Sequence, residues 1–435
     1  MVTQTGGHVS GSTVSEGGNR AGRDIAESDR TAMREAGRAH RRIGDVEVLR
    51  AFAVTMVLVE HMPYNLVFWP SRTLQHLSNY FGFWTGVDLF FAISGFVIAR
   101  SLLPALEAAG SNSGFFAATL QFWIKRAWRL LPSGWLWLVI PVLLAAFFNH
   151  SRVFGSIHAN IEAFFAGILN LANFRLGENY GRIENGVSFV YWSLSLEEQF
   201  YLLLPLAIFC LRRHLVWLLL AIAVFQFRPV ILPLDMTLRS GALALGVLLA
   251  IWSRQPSYRL CEPRSLSRHR GARIAALLLP VACLAALGSD HMHLVSFRLG
   301  PIALLASGLV WIASYDRDYL MKEGPLKRGL LWLASRSYGI YLIHVPVYFL
   351  MHELWFRFVG TTPPHGVQAG EYVLVALLLI LMVSEANYRL IEHPLRLRGI
   401  RIASGFGRAE SKALNPQVPA VSASPPHHQA VTNEV

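Results

Sequence analysis

The sequence predicts an all-α, polytopic membrane protein of about ten transmembrane helices. Hydrophobic residues fill 53% of the 435 positions and charged ones only 15%, well below the roughly 25% of soluble domains. Apolar runs recur at about the 20 residues a helix needs to cross a bilayer. Arginines gather between those runs, which is the positive-loop pattern of a membrane protein. The net charge of +12 is therefore assigned to topology rather than to nucleic acid. Cys210, Cys261 and Cys283 cannot form a disulfide framework, and no pair has metal-ligand spacing. Soluble enzymes, secreted disulfide scaffolds, disordered chains and zinc modules are excluded, and no metal is expected.

Residues 1–42 are Gly-, Ser- and Arg-rich, without an apolar stretch resembling a signal peptide, and are expected to form a disordered basic tail. Residues 401–435 are expected to form its disordered counterpart. The membrane domain then covers 43–400, with spans near 46–65, 81–103, 129–149, 189–211, 214–228, 230–252, 274–289, 294–314, 331–353 and 371–391. Arg41, Arg42 and Arg50 place the N-terminus in the cytoplasm. Arg100, Lys125, Arg126 and Arg129, then Arg212 and Arg213, then the arginines of 254–273, and finally Arg389, Arg396, Arg398 and Arg401 mark later cytoplasmic segments. An apolar run at 157–173 is diluted by Asn160, Glu162, Asn170 and Asn173. Counting it as a span would invert every later loop, so it is read as an interfacial or re-entrant helix on the outer side. Both termini then lie in the cytoplasm of a multi-pass protein of the cell (inner) membrane. The chain shows no internal repeat.

Ionisable residues within spans cost about 2.5–3.5 kcal/mol on insertion scales, so each needs a reason. Arg50 and His61 are eleven residues apart in the first span. At about 100° per residue they share one helix face, roughly 16 Å apart along the axis. The second span carries Asp88, Phe90, Phe91, Ser94 and Gly95, either a small-residue packing face with one buried acid or the wall of a polar pocket. Arg126 and Arg129, one turn apart, suit a phosphorylated ligand or plain cytoplasmic anchoring. The adjacent Glu197 and Glu198, in Tyr191-Trp192-Ser193-Leu194-Ser195-Leu196-Glu197-Glu198-Gln199, are the hardest to explain as architecture, since two such charges must be paired or one protonated. The ninth span adds Tyr338 and a second histidine, His344, which serves a site or fills the space opened by Pro346. Glu392-His393-Pro394 reads as a helix stop.

Taken in order, these segments resemble the membrane acyltransferase-3 family, whose members acylate sugars on polysaccharides, lipopolysaccharide, Nod factors and some antibiotics. The resemblance covers about 43–400. It rests on Arg50 with His61, the Phe-Phe-x-x-Ser-Gly of 90–95, the Arg-x-x-Arg of 126–129, Trp-Ser-Leu-Ser-Leu-Glu-Glu-Gln-Phe-Tyr at 192–201, Ser-Tyr-Gly-Ile-Tyr-Leu-Ile-His at 337–344 and Glu-His-Pro at 392–394. Glu60 departs from the pattern, where relatives mostly carry an aromatic or aliphatic residue. A carboxylate there raises the histidine's basicity or faces away from it. Some relatives carry a C-terminal hydrolase-like domain; without one, the membrane core is expected to finish the outward-side chemistry itself.

The resemblance implies acyl transfer from cytosolic acyl-CoA, most commonly acetyl-CoA, to a sugar hydroxyl of an extracytoplasmic glycan or glycolipid. Acyl-CoA is then a co-substrate, and no bound cofactor is expected. Arg50, Arg126 and Arg129 would hold CoA phosphates. His61 would act as general base or carry the acyl group, Glu197 or Glu198 would orient the imidazole or the acceptor, and Ser94 would donate to the oxyanion. Asp88, Trp192, Tyr338 and His344 are further pocket candidates. A proton-coupled transporter or flippase of a glycolipid or acylated sugar is the competing reading, and a structural subunit of an export complex a third.

Overall fold

The computed structural model describes residues 42–291 and 296–414. Of the tails expected at 1–42 and 401–435, residues 1–41, including Arg41, and 415–435 lie outside the described residues. All regular structure among the described residues is helical: α1 (Gly44–Asn65), α2 (Arg72–Tyr80), α3 (Gly86–Glu107), α4 (Asn112–Phe147), α5 (Ile157–Ile168), α6 (Ala172–Asn179), α7 (Tyr191–Leu211), α8 (Leu215–Phe225), α9 (Pro233–Thr237), α10 (Gly241–Trp252), α11 (Pro256–Leu260), α12 (Arg270–Gly288), α13 (Leu299–Ala313), α14 (Pro325–Phe358), α15 (Val367–Asn387) and α16 (His393–Leu414).

Among the described residues, six helical segments are long and apolar enough to cross a membrane: Phe83–Glu107, Asn112–Phe147, Val187–Phe225, Pro233–Trp252, Arg270–Gly288 and Val367–Phe406. The chain is a multi-pass membrane protein. Each of the ten apolar runs seen in the sequence falls on a helix, although α8 has 11 residues and α13 has 15, both short of a full crossing by themselves. α7 and α8 meet in a tight turn at Arg212, whose φ of 44° breaks the helix. The ambiguous 157–173 run forms the 12-residue α5, about 18 Å long and too short to span.

Two boundaries differ from the sequence reading. α4 begins at Asn112 rather than near 129 and runs for 36 residues, so Arg126 and Arg129 sit midway along a helix and not at its end. Glu392-His393-Pro394 does not stop the chain. Tyr388–Glu392 forms a π turn, and α16 continues from His393 to Leu414, so residues 401–414 of the expected tail are helical. The wider π turn lets Pro394 follow at the start of a new helix, where a missing N–H costs little.

Packing is closest where glycines remove side chains. α3 packs along α10, α1 along α14, and α4 along α16. At the α3–α10 crossing, a Cβ on Gly95 would lie 2.2 Å from the Leu243 carbonyl oxygen, and one on Gly246 would lie 2.3 Å from that of Ala92. The backbones touch there, as in small-residue membrane interfaces. This contact fixes the helix carrying Asp88 and Ser94 against the one that follows Arg239.

Gly246→Ala is therefore expected to be less stable than Gly308→Ala, since nothing lies within 4 Å of a Cβ on Gly308. Both gain the same helix propensity, so their difference isolates a clash of about 1–3 kcal/mol. Thermal midpoints of the two detergent-purified variants read it; equal midpoints would contradict the backbone contact.

Candidate active site

His61 lies near the end of α1 and meets His344 of α14, 283 residues away in sequence. Its Nδ1 is 2.9 Å from His344 Nε2. His344 is fully buried, and its Nδ1 lies 2.7 Å from the Tyr341 carbonyl oxygen and 3.3 Å from that of Ile340. A carbonyl only accepts, so His344 Nδ1 carries the proton and its Nε2 is the acceptor. His61 Nδ1 must then donate, which leaves the lone pair on His61 Nε2 uncommitted. The ring is held further by the edge of Phe189 at 5.4 Å. The Tyr348 hydroxyl donates to the Leu58 carbonyl at 3.0 Å and ties α14 to α1 just above the pair. Sequence reasoning singled out both histidines but did not pair them. It offered Glu197 or Glu198 to orient the imidazole or the acceptor; the group in contact with His61 Nδ1 is His344.

A cleft beside the pair, with about 700 Å³ of empty space when its open mouth is included, gathers five of the expected site residues, Arg50, Ser94, Arg126, Arg129 and Glu197. Tyr338 lines it as well. The polar residues face an apolar half formed by Val87, Phe90, Phe91, Val97, Leu130 and Leu194. Arg50 is paired with Glu47 at 2.6 Å. Arg126 sits over the Tyr201 ring at 5.0 Å. Among the described residues neither Arg126 nor Arg129 forms an ion pair with a carboxylate. Glu197 accepts from the Ser94 hydroxyl at 3.1 Å and from the Tyr201 hydroxyl at 2.7 Å. The Ser94 proton is thus committed to Glu197, and its expected oxyanion role is not supported by this arrangement. Glu198, one residue on and turned 100° away, faces Asn170 instead.

The cavity and the histidine pair share one residue. Tyr341 lines the cavity, and its hydroxyl contacts Ser193 Oγ at 2.6 Å and donates to the Val190 carbonyl at 3.0 Å. Its own carbonyl receives the His344 proton. With Phe90 edge-on at 6.3 Å, Tyr341 forms the partition between the arginine-lined space and the two imidazoles. The Tyr338 hydroxyl donates to the Leu130 carbonyl at 2.7 Å, fixing α14 to the middle of α4.

Asp88 serves a buried ion pair. Arg239 Nε lies 3.2 Å from each Asp88 oxygen, and both residues are about 4% exposed. The guanidinium is sandwiched between Trp84 and Trp192, 4.7 Å from each ring, which accounts for Trp192. Arg239 went unremarked in the sequence reading, although an arginine within an apolar run was the available signal. Glu60 does not address His61. Its carboxylate accepts the backbone N–H groups of Phe83 and Trp84 at 2.7 and 3.1 Å and so anchors the turn that begins α3.

A family profile described as an acyltransferase domain matches residues 43–384. The peptidoglycan O-acetyltransferase OatA of Listeria monocytogenes serovar 1/2a is 27% identical over 408 residues, covering 84% of this chain and 57% of that protein. The O-acetyltransferase OatA of Staphylococcus aureus (strain MRSA252) is 24% identical over 400 residues, covering 84% of this chain and 59% of that protein. This chain thus spans under three-fifths of the length of these relatives. No solved structure matches it.

Asp88→Asn is expected to destabilise the folded protein by about 3–5 kcal/mol, because it leaves the Arg239 guanidinium buried without a counter-charge. The double variant Asp88→Asn/Arg239→Gln should recover part of that loss in a thermal-unfolding cycle. Strictly additive losses would show that the two side chains do not act as a pair.

Proposed function

The chain belongs to the acyltransferase family matched over residues 43–384, and from that premise we propose that it is an O-acetyltransferase that moves an acetyl group from acetyl-CoA to a sugar hydroxyl of a cell-envelope glycan. The names of the relatives give peptidoglycan as the nearest acceptor class. The donor enters from the cytosol, the side assigned by the arginine-rich loops, and about ten helices carry the chain back and forth with both termini on that side.

One observation carries the proposal: His61 Nδ1 lies 2.9 Å from His344 Nε2 while His344 Nδ1 lies 2.7 Å from the Tyr341 carbonyl oxygen, an arrangement that implies a free lone pair on His61 Nε2. That nitrogen removes the proton from the acceptor hydroxyl as the oxygen attacks the thioester carbonyl. The C–S bond breaks, and the CoA thiolate takes the proton back from the imidazolium. His344 steadies the charged ring through the bond it already accepts from His61 Nδ1. Ordering a base through a second group's fixed acceptor keeps it in the reactive tautomer.

Arg50, Arg126 and Arg129 supply the cationic wall of the donor cavity, and Arg126 and Arg129 form no direct ion pair with a carboxylate among the described residues. The apolar half of the cavity takes the pantetheine arm. The thioester then passes the Phe90–Tyr341 partition, so transfer requires those two rings to move aside. Glu197, held by Ser94 and Tyr201, balances the arginines at the cavity floor rather than orienting the imidazole.

With purified protein, labelled acetyl-CoA and a glycan acceptor, label should appear on the glycan. His61→Ala is expected to lower kcat by about 10²–10⁴-fold, the range for loss of a general base, while the variant keeps its elution position on size exclusion. Transfer near the wild-type rate in that variant would remove His61 from the chemistry.

A further inference from the structure

The donor cavity shares Arg50, Arg129, Ser337 and Tyr338 with a second, shallow cleft whose empty space, the solvent at its open mouth included, is about 440 Å³. Its other walls bring in Arg42, which precedes α1, Tyr388 of the π turn and Arg396 of α16. Four guanidiniums therefore line this space. Two carboxylates also line it, and both are already engaged: Glu47 pairs with Arg50 at 2.6 Å, and Glu392 accepts from the Asn387 amide at 2.7 Å. Arg42, Arg129 and Arg396 form no ion pair with a carboxylate among the described residues.

Several arginines elsewhere in the molecule pair with a carboxylate. Arg239 has Asp88, Arg336 has Glu385, Arg357 has Glu353, Arg175 has Glu162 and Arg254 has Glu107. A concave space where three guanidiniums go unpaired is built for an anion with several charged oxygens, which guanidinium forks bind in preference to water. The walls are also held in place. Arg336 lies over the rings of Trp332 and Tyr388 at 4.9 and 4.4 Å while gripping Glu385, and that stack sets Tyr388 at the cavity edge. The π turn, a local widening that recurs at functional sites, is what brings Tyr388 and Arg396 to one wall.

We propose that this second cavity holds the 3′-phosphorylated adenosine end of the acyl-CoA donor. Arg42 and Arg396 bind the 3′-phosphate, and the shared Arg50 and Arg129 bind the pyrophosphate that joins the two cavities. The inference rests on the acyl-CoA reading above and extends it to residues that reading leaves unused. The shared chemistry is a phosphoryl anion, and an anionic lipid headgroup is the other source of one.

The test compares acetyl-CoA with 3′-dephospho-acetyl-CoA as donors for the purified full chain in nanodiscs. The wild type should favour acetyl-CoA by tenfold or more in kcat/KM. Arg396→Ala, and independently Arg42→Ala at its exposed position ahead of α1, should cut that preference at least fivefold. A preference that stays at the wild-type value in Arg42→Ala and in every active Arg396 variant overturns the inference alone, including where the variants instead acquire a dependence on anionic lipid. Failure of the wild type to use either thioester overturns both this inference and the acyl-CoA reading.

Discussion

A charged side chain inside a membrane domain must find its partner within the protein, because the hydrocarbon around it offers none. Most of this molecule obeys that constraint locally. Asp88 is neutralised by Arg239 between two tryptophans. Glu60 is satisfied by two backbone N–H groups. Glu353, wholly buried, accepts the N–H groups of His150 and Ser151 and the Arg357 guanidinium. Against that background the unpaired groups stand out: the guanidiniums along one pair of joined cavities, and one imidazole nitrogen beside them. Where most buried charges are met within the protein, these are the groups that a ligand would complete.

The fold holds these groups by a few close contacts. The glycine crossing of α3 and α10 brings backbones together, so Asp88 and Arg239 meet although they lie 151 residues apart. α14 carries the opposite wall. In about two turns it presents Tyr338 to α4, Tyr341 to the cavity and His344 to α1, since a spacing of three residues turns each successive side chain by about 60°. Tyr341 belongs to both halves at once. Its ring bounds the cavity and its carbonyl sets the tautomer of His344, so occupation of the cavity and basicity of His61 are joined through one residue.

Much of this was legible in the sequence. The helical class, the position of each apolar run and the gathering of Arg50, Arg126, Arg129, Ser94 and Glu197 follow from composition, spacing and the resemblance that orders them. What escaped was long-range or three-dimensional. No periodicity pairs His61 with His344, because their contact depends on how α1 and α14 pack. Arg239 went unremarked within its apolar run, and only the crossing of helices reveals its carboxylate. Ser94 was read by residue type as an oxyanion donor, yet its neighbour Glu197 takes the proton. Glu392-His393-Pro394 read as a stop because proline ends most helices, and the π turn that rescues it has no simple sequence signature.

The central claim is that the unpaired guanidiniums await a polyphosphate donor, and equilibrium binding tests it most directly. Acetyl-CoA titrated into the detergent-purified chain should bind saturably, weaken as salt is raised, and lose at least tenfold in affinity in Arg129→Ala. Absence of saturable binding, or an affinity indifferent to both salt and Arg129, would contradict the account.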